Sequence, residues 1–225
     1  MARILVLNPN SSRSMTAAMD RGLDDLRLQT GHQIQCLTND AGPEGIETAA
    51  HVAQVVPDLI AQVRAHRADA YVVACFSDPG ISALREVTPC PVLGIGEAAY
   101  LTAMVAGSRF GIISILEQAI ERHRRRVADL GILARLGGDR SIDVGTAHLE
   151  GEKVYGRLLR VGTALRDQDG CDVVILGCAG LGGYRSRLQA DLGTAVIDPV
   201  QAAVAQSSMV ASLQLTRPAN IGTMT

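Results

Sequence analysis

Tyr71-Val72-Val73-Ala74-Cys75 and Asp172-Val173-Val174-Ile175-Leu176-Gly177-Cys178 follow one pattern: an apolar run that ends on a cysteine, the two cysteines 103 residues apart. Runs that are apolar at nearly every position fit strands of a parallel sheet covered on both faces. The interval recurs elsewhere. Pro91-Val92-Leu93 with Ala98-Ala99 after it is echoed by Ala195-Val196-Ile197 with Ala202-Ala203, at an offset of 104. Arg3-Ile4-Leu5-Val6 and Arg109-Phe110-Gly111-Ile112 lie 106 apart. A repeat about a hundred residues long points to two similar α/β halves and not to a solenoid.

Working outward, the candidate strands are Arg3–Asn8, Gln33–Thr38, Ala70–Cys75, Val92–Ile95, Arg109–Ser114, Ile142–Thr146, Asp172–Gly177 and Ala195–Asp198. Helical patterns separate them. Val52, Val55, Val56, Leu59, Ile60 and Val63 fall on one helix face, as do Met15, Met19, Leu23 and Leu26, and later Val154, Leu158, Val161 and Leu165. Alternating βα units of this kind define the α/β class, each sheet mostly parallel and flanked by helices.

The 225 residues suit one large domain or two small ones. Hydrophobic residues make up 47% and charged residues 20%, enough apolar side chains for a packed core. A balance of 21 basic against 23 acidic residues offers no reason to expect nucleic acid or acidic lipid as partner. No apolar run reaches the length of a membrane span, and the apolar stretch before Asn8-Pro9-Asn10 is too short for an export signal, so a cytoplasmic location is expected. Five cysteines without an export signal read as free thiols. Lysine occurs once, at Lys153, so pyridoxal or Schiff-base chemistry would have to use that residue.

Ligands of parallel sheets bind beyond the carboxyl ends of the strands. There the chain places Asn8-Pro9-Asn10-Ser11, Cys75-Phe76-Ser77-Asp78, Ser114 and Cys178-Ala179-Gly180. Both cysteines sit where a strand gives way to a helix, and backbone N–H groups at such a turn lower a thiol pKa from about 8.5 toward neutrality. Cys36, Cys90 and Cys171 read as structural. Gly94-Ile95-Gly96-Glu97-Ala98-Ala99 fits a dinucleotide fingerprint in outline. It sits at the fourth strand, however, and Glu97 would oppose a pyrophosphate, so close helix–strand packing explains it better. Arg122-His123-Arg124-Arg125-Arg126 reads as a solvated helix face, and Asp78 as a helix cap before Pro79. The five histidines show no i, i+4 pair and no C-x-x-C occurs, so no zinc ligand set is expected.

The runs Asn8-Pro9-Asn10-Ser11-Ser12, Gly42-Pro43-Glu44-Gly45-Ile46-Glu47, Ala74-Cys75-Phe76-Ser77-Asp78-Pro79-Gly80 and Gly94-Ile95-Gly96-Glu97 form one ordered set. Phe110-Gly111-Ile112-Ile113-Ser114-Ile115-Leu116, Leu176-Gly177-Cys178-Ala179-Gly180 and Val196-Ile197-Asp198-Pro199-Val200 complete it. Together the set resembles the hydantoin and allantoin racemases of the aspartate/glutamate racemase superfamily, from residue 4 to about residue 204. The resemblance implies two pseudo-symmetric lobes, residues 1–97 and 98–204, with a C-terminal helix over about 205–225 joining the first lobe and the active site in the cleft between them. It also implies racemisation of a 5-substituted hydantoin without cofactor or metal, with Cys75 and Cys178 as the two bases and allantoin as the nearest alternative substrate. Asn10, Ile46, Phe76, Ser77, Ser114, Ile115, Ala179 and Gly180 are the implied substrate contacts. Ser77 departs from the pattern, standing where glycine is commoner. The small-molecule substrate comes with an implied homo-oligomer, for which the alanine-rich helices Glu97–Met104 and Gln201–Leu213 are the candidate surfaces.

Proton transfer on two faces of one carbon needs each sulfur roughly 3 Å or slightly more from the proton it moves, hence sulfurs about 7 Å apart and no disulfide. A maleate-isomerase or arylmalonate-decarboxylase type of reaction is the competing enzyme reading. The decarboxylase type keeps only the second cysteine, which the presence of both disfavours. A thiol sensor or small-ligand binding protein is the non-enzyme alternative.

Overall fold

The computed structural model describes residues 1–215. Strands β1 (Arg3–Asn8), β2 (Gln33–Thr38), β3 (Ala70–Val73) and β4 (Val92–Gly94) form one sheet in the order β2-β1-β3-β4. Strands β5 (Phe110–Ser114), β6 (Leu136–Ser141), β7 (Val173–Leu176) and β8 (Ala195–Ile197) form a second in the order β6-β5-β7-β8. Every strand pair is parallel. The two orders correspond position for position, and β7 (from residue 173) follows β3 (from residue 70) at the interval seen between the cysteines.

The first lobe carries helices α1 (Arg13–Arg21), α2 (Asp24–Thr30), α3 (Ala49–Gln54), α4 (Val56–Ala65), α5 (Ile81–Val87) and α6 (Ile95–Ala106). The second carries α7 (Ile120–Asp129), α8 (Glu152–Asp167), α9 (Arg185–Leu192) and α10 (Pro199–Ser212). Strand residues alternate between two cores. Ile4, Val6, Val72 and Ala74 pack with α1 and α10 residues, whereas Leu5, Leu7, Tyr71 and Val73 pack with Leu59, Val63, Ile81 and Leu84 of α4 and α5. This burial on both faces is why β1 and β3 read as continuous apolar runs.

Three expectations need correction. The strand expected at Ile142–Thr146 lies earlier, at β6. Its Leu-Gly-Gly-Asp-Arg-Ser composition carries no apolar signal because β6 is an edge strand, paired only to β5 and half-buried throughout. The apolar face from Val52 to Val63 belongs to two helices: Pro57, lacking an N–H, opens α4, and the chain breaks at Val55. The face from Met15 to Leu26 is likewise divided, at Gly22 and Leu23.

The last helix of each half packs away from the sheet it follows. Helix α6 succeeds β4 yet lies against β7 and β8, and α10 succeeds β8 yet lies against β1 and β3. The boundary expected between residues 97 and 98 therefore falls inside α6, a helix shared by both lobes. The C-terminal helix begins at Pro199, ahead of the expected 205, and the 216–225 part of that expectation lies outside the described residues. No helix among the described residues is long and apolar enough to cross a membrane.

Candidate active site

In each sheet the chain direction of strand addition reverses between the two central strands, β1 and β3 or β5 and β7, and a crevice opens at their carboxyl ends. The four segments leaving these ends meet in one cavity at the junction of the lobes. The cavity is narrow, with about 40 Å³ free for a water-sized sphere.

Cys75 follows β3 and Cys178 follows β7, and both line this cavity. Their surroundings repeat. The Ser77 N–H pulls the Cys75 thiol pKa down and the Gly180 N–H does the same for Cys178, each from two residues on. One N–H does not outweigh burial. The Cys75 thiol is pushed up to about 12, first by loss of water, with Cys178 and Asp78 adding to the shift and Arg122 opposing it. The Cys178 thiol is pushed up to about 11, again first by burial, with Glu47 adding to it. The expected lowering toward neutrality is thus reversed, because loss of water around the sulfurs disfavours thiolate more strongly than a single N–H dipole favours it. Cys36, Cys90 and Cys171 are free thiols away from the cavity.

Asn10, Ile46, Phe76, Ser77, Ile115 and Ala179 also line the cavity. Asn10 is fixed by a turn in which Asn8 Nδ2 donates to Asn10 Oδ1 at 2.9 Å and Asn8 Oδ1 accepts the Asn10 N–H at 3.2 Å. Two expected contacts lie elsewhere. Ser114 is fully buried behind the wall, its hydroxyl bonded to Asp139 and close to His123. Gly180 faces neighbouring grooves and reaches the site only through its N–H on Cys178.

Sequence reading missed Glu47, Arg122, His123 and Thr146. Glu47 ties the lobes together: Glu47 Oε1 accepts the Thr146 N–H at 2.7 Å, and its carbonyl accepts Arg122 Nη2 at 3.0 Å. Such pairs between distant segments leave no local signature. His123 did leave one. It stands in register with Ala119 and Val127, and all three are buried; the expected solvated face is limited to Arg124 and Arg125, because Arg122 and Arg126 are half-buried and bonded to Glu47 and Glu97.

Asp78 does not cap α5. Its carboxylate accepts the Gly96 and Glu97 N–H groups at 2.9 and 2.7 Å and so caps α6. The helix N-terminus that a dinucleotide's pyrophosphate would need is filled by this side chain. Gly94 leaves room for it, since a Cβ there would sit 2.2 Å from the carboxylate. Asp198 repeats the device on α10, accepting the Val200 N–H at 2.8 Å, with Gly182 giving the clearance.

Residues 4–207 match the Asp/Glu/Hydantoin racemase family. The chain is 34% identical to the hydantoin racemase of Paenarthrobacter aurescens over 96% of this chain and 94% of that protein. It is 37% identical to the hydantoin racemase of Rhizobium meliloti over 89% and 85% respectively. Among solved structures, the allantoin racemase of Klebsiella pneumoniae superposes with a TM-score of 0.90 at 30% identity, covering 97% of this chain and 91% of that one. Arylmalonate decarboxylase shares the fold, with a TM-score of 0.66 at 18% identity over 96% of each chain. The paired strand-end cysteines, the duplicated sheets and these matches agree: the chain belongs to the Asp/Glu/Hydantoin racemase family, a family of isomerases.

Proposed function

We propose that this protein racemises 5-substituted hydantoins by passing the C5 proton between Cys75 and Cys178, with no cofactor taking part. The observation that carries the reading is the delivery of both thiols into one cavity from equivalent strand ends of opposite lobes. One sulfur, as thiolate, takes the proton from C5. The ring carbonyl spreads the resulting charge as an enolate, and the other thiol returns a proton to the opposite face. The sulfurs exchange protonation states in each turnover, and no atom is gained or lost. A cyclic ureide carbonyl acidifies its neighbouring C–H, so Asn10 and the Gly180 backbone suffice where a less acidic substrate would need charged helpers.

Allantoin carries the same ring with a ureido substituent, and the likeness to the Klebsiella pneumoniae allantoin racemase makes it the second substrate to test. Polarimetry of one enantiomer of 5-benzylhydantoin, and separately of allantoin, should show optical rotation decaying to zero with purified, chelator-dialysed protein. Unchanged rotation with both would overturn the reading. Self-association belongs to the same proposal: Leu101, Val105 and Met209 are exposed on α6 and α10, which pack together. Sedimentation should give more than one copy per particle, and a monomer at assay concentration would contradict this.

A further inference from the structure

One polar group in the cavity wall has no part in the proton transfer between sulfurs. His123, on α7, is 3% exposed and lines the cavity. Its Nδ1 lies 2.9 Å from Asp139 Oδ2 and 3.1 Å from Ser114 Oγ, and the Ser114 hydroxyl donates to Asp139 Oδ1. The carboxylate then offers only acceptor atoms to the ring, so Nδ1 carries the proton. In the neutral imidazole Nε2 is left as an acceptor. Nε2 has no hydrogen-bond partner among the described residues. The ring stands edge-on to Phe76, a cavity residue, with centroids 4.9 Å apart at 87°.

Buried polar networks closed on themselves are often replaceable by apolar groups without loss. This one is left open at a single atom, beside the cavity that both thiols share. Asn10 Oδ1 already takes Asn8 Nδ2 and the Ser12 N–H, and Glu47 Oε1 takes the Thr146 N–H. The Thr146 hydroxyl also lines the cavity without a partner among the described residues, so His123 Nε2 is one of a few acceptors open to a ligand there. A ureide ring brings N–H groups into the cavity, and each needs an acceptor once water is excluded.

We propose that His123 binds substrate, its Nε2 accepting a hydrogen bond from a ring N–H of the cyclic ureide, with Asp139 and Ser114 as positioning residues that fix its orientation and tautomer. The inference rests on the ureide reading above. A hydrogen bond in the plane of the ring orients the substrate without covering either face of C5, which leaves both faces to the sulfurs.

Two substitutions separate this role from a structural one. The amide of His123→Asn overlays Nδ1 and keeps the bond to Asp139, whereas that of His123→Gln overlays Nε2 and keeps a polar atom at the cavity. His123→Asn should stay folded and lose roughly tenfold or more in kcat/KM, and His123→Gln should retain more activity than His123→Asn. A residue that only held α7 against β5 and β6 would give the opposite order. That order, or wild-type kcat/KM in His123→Asn, would overturn the inference.

A measurement on the wild-type protein decides the matter even if the variants do not fold. 5,5-Dimethylhydantoin has ring N–H groups but no C5 proton, so it binds without turnover. Histidine nitrogen NMR should show the His123 Nε2 resonance moving as this ligand protects Cys75 and Cys178 from alkylation. Protection with no movement of Nε2 overturns the role of His123 alone. No protection together with no racemisation of any hydantoin overturns the underlying reading and this inference with it.

Discussion

At the residue scale, the decisive contest is between burial and one backbone N–H at each sulfur. Burial wins at both, holding Cys75 up to about 12 and Cys178 up to about 11. A reaction that starts from thiolate then draws on a minor form at neutral pH. In the proposed racemisation kcat/KM should rise about tenfold per pH unit between about pH 6 and 8, as the loss of one proton requires. A plateau beginning below neutrality would contradict the raised thiol, because kcat/KM follows the ionisation of the free enzyme. Serine in place of either cysteine should abolish racemisation while leaving the fold intact, because a hydroxyl is a much weaker acid than a thiol. Asp78 makes a separate pH prediction. Burial pushes its carboxyl up to about 7 from an ordinary 3.8, against the pull of the Glu97 and Gly96 N–H groups. The folded state holds this proton more tightly than the unfolded chain, so the contribution of Asp78 to stability declines as pH rises from about 4 to about 7. Urea unfolding of Asp78→Asn should show a flatter pH dependence over that window than wild type, and parallel curves would contradict the assignment.

At the scale of elements, each Cys turn is braced by the helix beyond the next strand. Asp78, three residues after Cys75, caps α6, and Gly94 gives the carboxylate its space. Gly94→Ala would drive a methyl group into that carboxylate and should destabilise the protein by about 1–3 kcal/mol, with loss of activity through displacement of the Cys75 turn. Thermal unfolding together with the rate of Cys75 alkylation checks both effects. An unchanged melting temperature would mean that the turn yields without cost. These braces were only partly legible in the sequence. The glycines read as close packing, but Asp78 read as the cap of the helix after Pro79 and instead caps α6, whose partner N–H groups lie eighteen and nineteen residues away. The β6 strand was hidden for a different reason: an edge strand of Gly, Asp, Arg and Ser has no apolar period to read.

At the scale of the molecule, the exchange of α6 and α10 between sheets makes the two halves interdependent. Helix α10 covers β1 and β3 with Val200, Ala203 and Val204, which join Ile4, Val6 and Val72 in one core. A chain ending at Asp198 should therefore fail as a whole, binding hydrophobic dye and melting without a cooperative transition. A cooperative transition for the second lobe alone would show instead that the lobes fold independently. The duplication was readable because both sheets are buried on two faces and so repeat the same apolar runs. That logic located Cys75 and Cys178 at equivalent strand ends. Glu47, Arg122 and Thr146 escaped it because they are brought together across the lobe junction, by pairs 75 and 99 residues apart in sequence.

The central claim is that the two sulfurs act on opposite faces of one carbon. Proton NMR of each separate enantiomer of 5-benzylhydantoin in deuterium oxide, with Cys75→Ala and with Cys178→Ala, tests it most directly. Neither folded variant should racemise, and any residual C5 exchange should favour one enantiomer in the first variant and its mirror image in the second. Racemisation at the wild-type rate by either variant, or residual exchange favouring the same enantiomer in both, would contradict the account.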